Sequence, residues 1–356
     1  MVNDKHYAVV IGLNNYTNGL SQLRGAANDA RKFEQWLLSQ SDRGGKLPRE
    51  NVYSKIDVAP DTVTFQNIKR TLTDAIALTP LSNQEDLRER LYIYMAGHGI
   101  SLDDISLVRS DASALLTLEC AQQDLSSHIA EYTIRKMSSR LGWYKEVVIV
   151  MDCCREETGK SSLCAFWNDP RKNDLLDDEG FPRFYTYFAT KPKGLAREVR
   201  GDDGKYYGVF TDSFLRNIQG AVDEENRVTH DSLKRVILND FKENPNFVNY
   251  PIPQIKGDAE PLVYSVSGQS LTSTLYIHFD ELIGTDSELF IIKPDNSEAK
   301  IGVNSEASPI CVNELLPGTY TVRVVSGSGE LLETKSINVT SGETRTIELS
   351  EVVSYA

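Results

Sequence analysis

The stretch EVVIVMDCCREE, residues 146–157, runs from five apolar residues, Val147 to Met151, straight into an acid, two adjacent cysteines and an arginine. An unbroken apolar run of that length, bounded by charge, reads as a strand buried on both faces, as in a parallel sheet. The residues after Met151 are too polar to continue the strand. Buried thiols, a disulfide, a metal site and a catalytic nucleophile are all compatible with the cysteine pair at this point.

Outward from that strand, apolar runs alternate with helical periodicity. YAVVIG (7–12), LYIYMAG (91–97) and FYTYFAT (184–190) read as further strands. Leu23, Ala26, Ala27, Ala30, Phe33 and Leu37 recur at helical spacing, and helices are predicted over 68–78, 129–141 and 232–241. Such alternation predicts an α/β domain over residues 1–265, with a mainly parallel central sheet covered on both faces. Chemistry in such sheets gathers where loops leave the carboxyl ends of the strands. After Pro261 the pattern changes. A Ser- and Gly-rich linker (266–273) leads into LYIHFD, ELFIIKP, TYTVRVV, KSINVT and TRTIEL, which alternate apolar and polar residues between turn signals. Residues 274–356 are therefore predicted to form a small antiparallel β-sandwich domain.

Composition narrows the functions. The chain has 356 residues, 40% apolar and 25% charged, with a net charge of −13. No cluster of Lys and Arg interleaved with aromatics offers a phosphate track, so no nucleic-acid partner is expected. No apolar run is long enough to span a bilayer, and the amino terminus lacks the features of a signal peptide, so the expectation is a cytoplasmic protein with no membrane partner. Five widely and irregularly spaced cysteines do not suggest a disulfide scaffold. An acidic protein attracts basic peptides.

Neither HExxH nor CxxC occurs, and adjacent cysteines without further close Cys or His do not build a zinc site, so no metal is expected. Hydrolysis by cysteine needs a thiolate, an imidazole and donors for the oxyanion. Of the five histidines only His98 lies just past a strand, with Gly97 and Gly99 on either side. If the strands ending in MAGHG and MDCCR are neighbours, His98 and the thiols emerge at one edge.

These segments together resemble the caspase and metacaspase family of cysteine peptidases over about residues 5–264. YAVVIGLNNY with LRGAANDA is similar to the family's first strand and helix, LYIYMAGHG to its histidine strand, and VVIVMDCCR to its nucleophile strand, whose pattern is Asp, any residue, Cys. LVRSDA (107–112), GVFTDSFLRNI and VTHDSLKRVI are similar to later family segments. The resemblance implies an α/β/α sandwich in which Cys154 is the nucleophile and His98 assists it. Cys153 then fills the variable position as a small buried hydrophobe. Residues two apart on a strand share a face, which agrees with Asp152 and Cys154 acting together. Backbone N–H groups of Gly99 and Cys154 would, by the same resemblance, stabilise the oxyanion.

The resemblance also implies a choice of substrate. Metacaspases recognise Arg or Lys through carboxylates, and Asp29 and Asp152 match those positions; Asp29 also suits the first turn of a helix on its own account. Arg24, with Arg197, is the rival feature and would suit an Asp-specific pocket. Ala26 stands where many metacaspases have Cys, and the acidic cluster of calcium-dependent members is not found, so no cofactor is expected. The long segment 156–183, without sustained periodicity, resembles an activation loop with Lys160, Arg171, Lys172 and Arg183 as candidate processing sites; activation of the intact chain by a binding event is the alternative. Protein or peptide substrates with basic cleavage sites, and an activator or effector protein, are the expected partners. The resemblance extends to bacterial relatives that act in defence or programmed death. A catalytically idle scaffold, recruiting partners through the β-sandwich, is the competing class of function.

Overall fold

The computed structural model describes residues 3–16, 19–57, 63–76, 88–102, 112–121, 127–141, 143–157, 182–201, 203–223, 227–244, 247–258, 262–266, 273–279, 287–293, 297–302, 310–315, 318–339 and 344–349. In chain order the first elements are β1 (His6–Gly12), α1 (Ala26–Leu38), β2 (Val52–Ile56), α2 (Phe65–Ile76), β3 (Arg88–Gly97), β4 (Gly99–Leu102), β5 (Ala112–Leu116), β6 (His128–Ala130), α3 (Glu131–Leu141) and β7 (Tyr144–Cys153). Then come β8 (Glu156–Glu157), β9 (Arg183–Phe188), β10 (Glu198–Arg200), β11 (Tyr206–Gly208), α4 (Val209–Asn217), β12 (Arg227–Thr229), α5 (His230–Glu243), β13 (Gln254–Gly257) and β14 (Val263–Val266). The remaining strands are β15 (Ser273–Phe279), β16 (Glu288–Ile292), β17 (Glu298–Gly302), β18 (Ile310–Leu315), β19 (Gly318–Val325), β20 (Leu331–Val339) and β21 (Thr344–Leu349). Two compact units result: residues 1–215 with 250–261, and residues 216–249 with 262–356.

The first unit is built on a six-stranded sheet in the order β13-β9-β7-β3-β1-β2, with only β13 antiparallel to its neighbour. The apolar run of β7 is buried throughout because both faces are covered. On one face Val9, Ile11, Ile93, Met95, Ile149 and Met151 pack with α2 and α3. On the other, Phe33 of α1 stacks on Tyr94 of β3 with centroids 4.4 Å apart, and Phe214 of α4 meets Tyr187 of β9 edge-on at 5.1 Å. Glu146 accepts from Arg90 at 2.7 Å and from Arg183 at 2.9 Å, tying β3, β7 and β9 together at their amino-terminal ends. The chain runs from β1 out to β2 on one side and then to β3 on the other. The strand order therefore reverses between β1 and β3, where open α/β sheets form a crevice at their carboxyl ends.

A second, small sheet in the order β6-β5-β4-β8 lies beyond those ends. Its β4 follows β3 after a single residue, and β8 follows β7 closely; β4 and β8 pair in parallel, Ile100 with Glu156 and Ser101 with Glu157. The helix predicted from 129 begins two residues later, because His128–Ala130 pair with β5 instead.

In the second unit α5 is opened by a reciprocal cap: Ser232 N–H donates to Thr229 Oγ1, and Thr229 N–H to Ser232 Oγ. The carboxylate of Asp240 on this helix accepts from Asn217 at 2.7 Å and from Thr319 of β19 at 2.9 Å. Sheets β18-β15-β21 and β17-β16-β19-β20 enclose a core of Leu275, Ile277, Leu289, Ile291, Val322, Val324 and Ile347. The sandwich differs from a purely antiparallel one, since β15 and β21 run parallel. Sequence alternation fixes which residues face inwards but not strand direction, so this pairing has no signature of its own.

Candidate active site

Register brings the two motifs together. β3 and β7 pair in parallel with Ala96 opposite Asp152 and Gly97 opposite Cys153, so His98 and Cys154 each stand one residue past adjacent strand ends, and both line one cleft. Alternation along β7 then separates the cysteines. The Cys153 thiol packs into the core with Met151 and Ile149, against Gly99 of β4, and burial pushes it far above the ordinary thiol range. Any Cβ at position 99 would stand 2.6 Å from that sulfur and 2.6 Å from the Cys154 carbonyl, so only glycine fits there. Cys154 is on the opposite face, half-buried in the cleft, with its thiol 3.8 Å from the Ala196 carbonyl. Burial raises its pKa above the ordinary thiol range.

The ring of His98 is held at Nε2, 2.8 Å from the carbonyl of Ser21. A carbonyl only accepts, so Nε2 carries the proton, and in the neutral imidazole the basic lone pair is at Nδ1. Ser21 lies in the connection between β1 and α1. That connection is braced from both sides: Asn14 and Asn15 N–H donate to the Asp57 carboxylate at 2.8 and 2.9 Å, and Asn14 Oδ1 accepts from Ala27 N–H of α1 at 3.1 Å.

Acids dominate the rest of the cleft, whose volume is about 70 Å³. Asp29, in the first turn of α1, is 2% exposed, and Asp152, on the Cys154 side of β7, is 7% exposed. Gly208 sits between them: its N–H donates to Asp29 Oδ2 at 2.7 Å, and a Cβ there would collide with the Asp152 carboxylate. Thr211 holds Asp152 through its N–H at 3.1 Å and its hydroxyl at 2.6 Å. Asp29 Oδ1 is buried without a hydrogen-bond partner. A third acid, Glu198 of β10, lines the same cleft and accepts from Gly25 N–H at 2.7 Å and Arg24 N–H at 3.1 Å, at the amino end of α1. Desolvation pushes the Asp152 carboxyl up to about 6 and Asp29 well above the usual carboxylate range, with Asp152 and Glu198 adding to the rise at Asp29. Three carboxyl groups thus converge on one small space.

The rival arginines are placed differently. Arg24 turns its guanidinium to Tyr206, 3.2 Å from the hydroxyl and 5.1 Å from the ring centre. Arg197 lines the cleft beside Ala196 and Glu198. Of the processing candidates, Lys160, Arg171 and Lys172 lie outside the described residues, as do 107–111 of LVRSDA. Arg183 is the first residue of β9 and is ion-paired to Glu146. Among the described residues no group of three His, Cys, Asp or Glu is arranged to hold a metal ion, and no helix is long and apolar enough to cross a membrane. The sequence reading did not single out Glu198, Gly208 or Ser21. Each lies on a short hairpin or connection whose role depends on residues far along the chain, and no local pattern marks it.

The family model for the caspase domain matches residues 5–255. A "probable protease" of a Desulfuromonadales bacterium is 25% identical over 352 residues, 90% of this chain; the chain spans 41% of that relative's length. Among solved structures, that of pro-sf-caspase-1 matches at a TM-score of 0.44 with 11% identity, covering 75% of this chain and 93% of its own.

Proposed function

We propose that this chain, which belongs to the caspase family, is a cysteine endopeptidase cutting after arginine or lysine, with Cys154 as nucleophile and His98 as its acid–base partner. The observation that carries the specificity is the acceptor left over in the cleft. Asp29 Oδ1 is buried and unpartnered beside Asp152, close to the proposed nucleophile. A guanidinium or ammonium entering there supplies the missing donors and the counter-charge for acids that burial otherwise disfavours. A substrate aspartate would instead add a fourth carboxylate beside Asp29, Asp152 and Glu198 and supply no donor for Asp29 Oδ1.

In this reading Nδ1 of His98 takes the Cys154 proton and the thiolate attacks the scissile carbonyl carbon. The oxyanion forms beside the N–H groups of Cys154 and Gly99. Leu116 N–H bonds to His98 O, so the next pair, Gly99 and Leu115, is of the non-bonded kind, and Gly99 N–H turns away from β5. Protonated His98 then gives its proton to the leaving amine, and water, deprotonated at Nδ1, hydrolyses the thioester. Activation by cleavage within 156–183 belongs to the same proposal; full activity in a variant lacking Lys160, Arg171 and Lys172 would count against it. A role as a bacterial defence or cell-death effector is a further part of it.

The deciding experiment compares peptides carrying Arg, Lys or Asp before a reporter, with wild type, Cys154→Ala and Cys153→Ala assayed in parallel. The expected result is cleavage after Arg or Lys that Cys154→Ala abolishes and Cys153→Ala retains. Cleavage after Asp would overturn the roles given to Asp29 and Asp152.

A further inference from the structure

The ladder beside the proposed catalytic histidine has one irregularity. Gly99 stands opposite Leu115, so an unbroken antiparallel pair would next exchange two hydrogen bonds between His98 and Leu116. One of the two is direct: Leu116 N–H donates to His98 O at 2.9 Å. In place of the other stands the hydroxyl of Tyr16, which accepts His98 N–H at 2.9 Å and donates to the Leu116 carbonyl at 3.2 Å. The Tyr16 ring meets the imidazole edge-on, with centroids 4.6 Å apart and planes at 66°. Its side chain is buried, and room for the hydroxyl depends on Gly97, where a Cβ would lie 2.5 Å from the oxygen.

We propose that Tyr16 is a positioning residue for His98. By inserting its hydroxyl between His98 and Leu116 it prevents the strand pair from closing and holds the imidazole at the cleft. The connection after β1 thus grips the histidine at three points: its backbone N–H and ring through Tyr16, and Nε2 through the Ser21 carbonyl. The bracing of Asn14 and Asn15 by Asp57 fixes the chain directly before Tyr16. Without the hydroxyl, His98 N–H either closes onto Leu116 O, drawing the histidine back into the ladder, or stays buried and unpaired. The first draws the ring from the cleft, and the second frees its backbone from the bond that fixed it. The inference rests on the reading of His98 as acid–base partner of Cys154.

Tyr16→Phe keeps the ring and removes only the oxygen. The expected result, per titrated active site, is a kcat on Arg-reporter peptide about tenfold lower with KM within twofold, since a tenfold rate change is about 1.4 kcal/mol in the barrier. A second readout needs no substrate: the pH profile of Cys154 alkylation by iodoacetamide should move towards that of His98→Ala. A purely structural role would lower the melting temperature and leave both readouts in place, and that result overturns the proposal. Should Tyr16→Phe not fold, 3-fluorotyrosine introduced at position 16 replaces it, keeping the size while weakening the oxygen as acceptor; an unchanged alkylation profile there overturns the proposal too. If wild type cleaves no Arg peptide while alkylation still depends on His98 and Tyr16, the substrate reading fails and the positioning role stands.

Discussion

Asp152 should cost the free protein stability at the pH where it is useful. Its carboxyl is held near pKa 6 against 3.8 for an ordinary aspartate, burial being the main cause and the Thr211 hydrogen bonds partly opposing it. A pKa raised by folding means that the native state holds the proton more tightly than the unfolded chain. The resulting stabilisation is complete below about pH 4 and is lost as pH rises through about 6. Above pH 7 the folded state therefore bears a charged, buried carboxylate at a relative cost of about two pK units, about 3 kcal/mol. Asp152→Asn removes the charge while its amide oxygen still accepts from the Thr211 N–H and hydroxyl. At roughly 2–4 °C per kcal/mol for a unit of this size, the variant should melt about 6–12 °C higher at pH 8, and the gain should vanish by pH 4. Cleavage after Arg should fall about 100-fold in kcat/KM in the same variant, as the loss of a buried charge-assisted contact implies. Thermal unfolding followed by circular dichroism from pH 4 to 8, beside peptide assays, reads both. An unchanged or lower melting temperature at pH 8, or a gain that persists at pH 4, would refute the reasoning.

Neighbouring contacts give three further expected outcomes. Glu198→Gln removes a charge that raises both Asp29 and Asp152, so the acid limb of kcat/KM against Arg peptides should move to lower pH, while a limb that stays in place would exclude Glu198 from the electrostatics. Gly99→Ala forces a Cβ against the Cys153 sulfur and the Cys154 carbonyl; kcat should drop at least 100-fold for a stability cost of about 1–3 kcal/mol, read by active-site titration and urea unfolding. Cys153→Ala, which deletes a core thiol and leaves the cleft face intact, should lose about 1–2 kcal/mol and keep full labelling of Cys154 by a thiol-reactive peptide, as intact mass spectrometry will show.

Long buried strands were the legible part of the sequence. The apolar runs of β3 and β7 announce themselves, and once they are neighbours their shared register carries His98, Asp152 and Cys154 to one edge. Asp29 was legible as a site candidate only through the family resemblance, since an acid in the first turn of α1 also suits a helix start on its own account. Less could be read where structure depends on partners rather than period. β2 is an edge strand, VYSKI, too polar to stand out, and β4, β5, β6 and β8 are two to five residues long. Glu198 reaches the end of α1 from 173 residues away through a hydrogen bond to Gly25, and no pattern on a three-residue strand foretells that. Tyr16 is similar: an aromatic after two asparagines reads as a loop residue until His98 is seen bonded to its oxygen.

The helix α5 has a consequence for how the chain is made. Its apolar residues Leu233, Val236, Ile237 and Phe241 are buried, and Asp240 on the same helix is bonded to Thr319 of β19. During synthesis the helix leaves the ribosome well before the strand that bonds to its Asp240. At about 5–20 residues per second, roughly 4–16 s pass between them. Meanwhile β13, the last strand of the first unit's sheet, emerges and that sheet can complete. The nascent chain therefore carries a sheet that can complete while Asp240 of α5 still lacks its Thr319 partner.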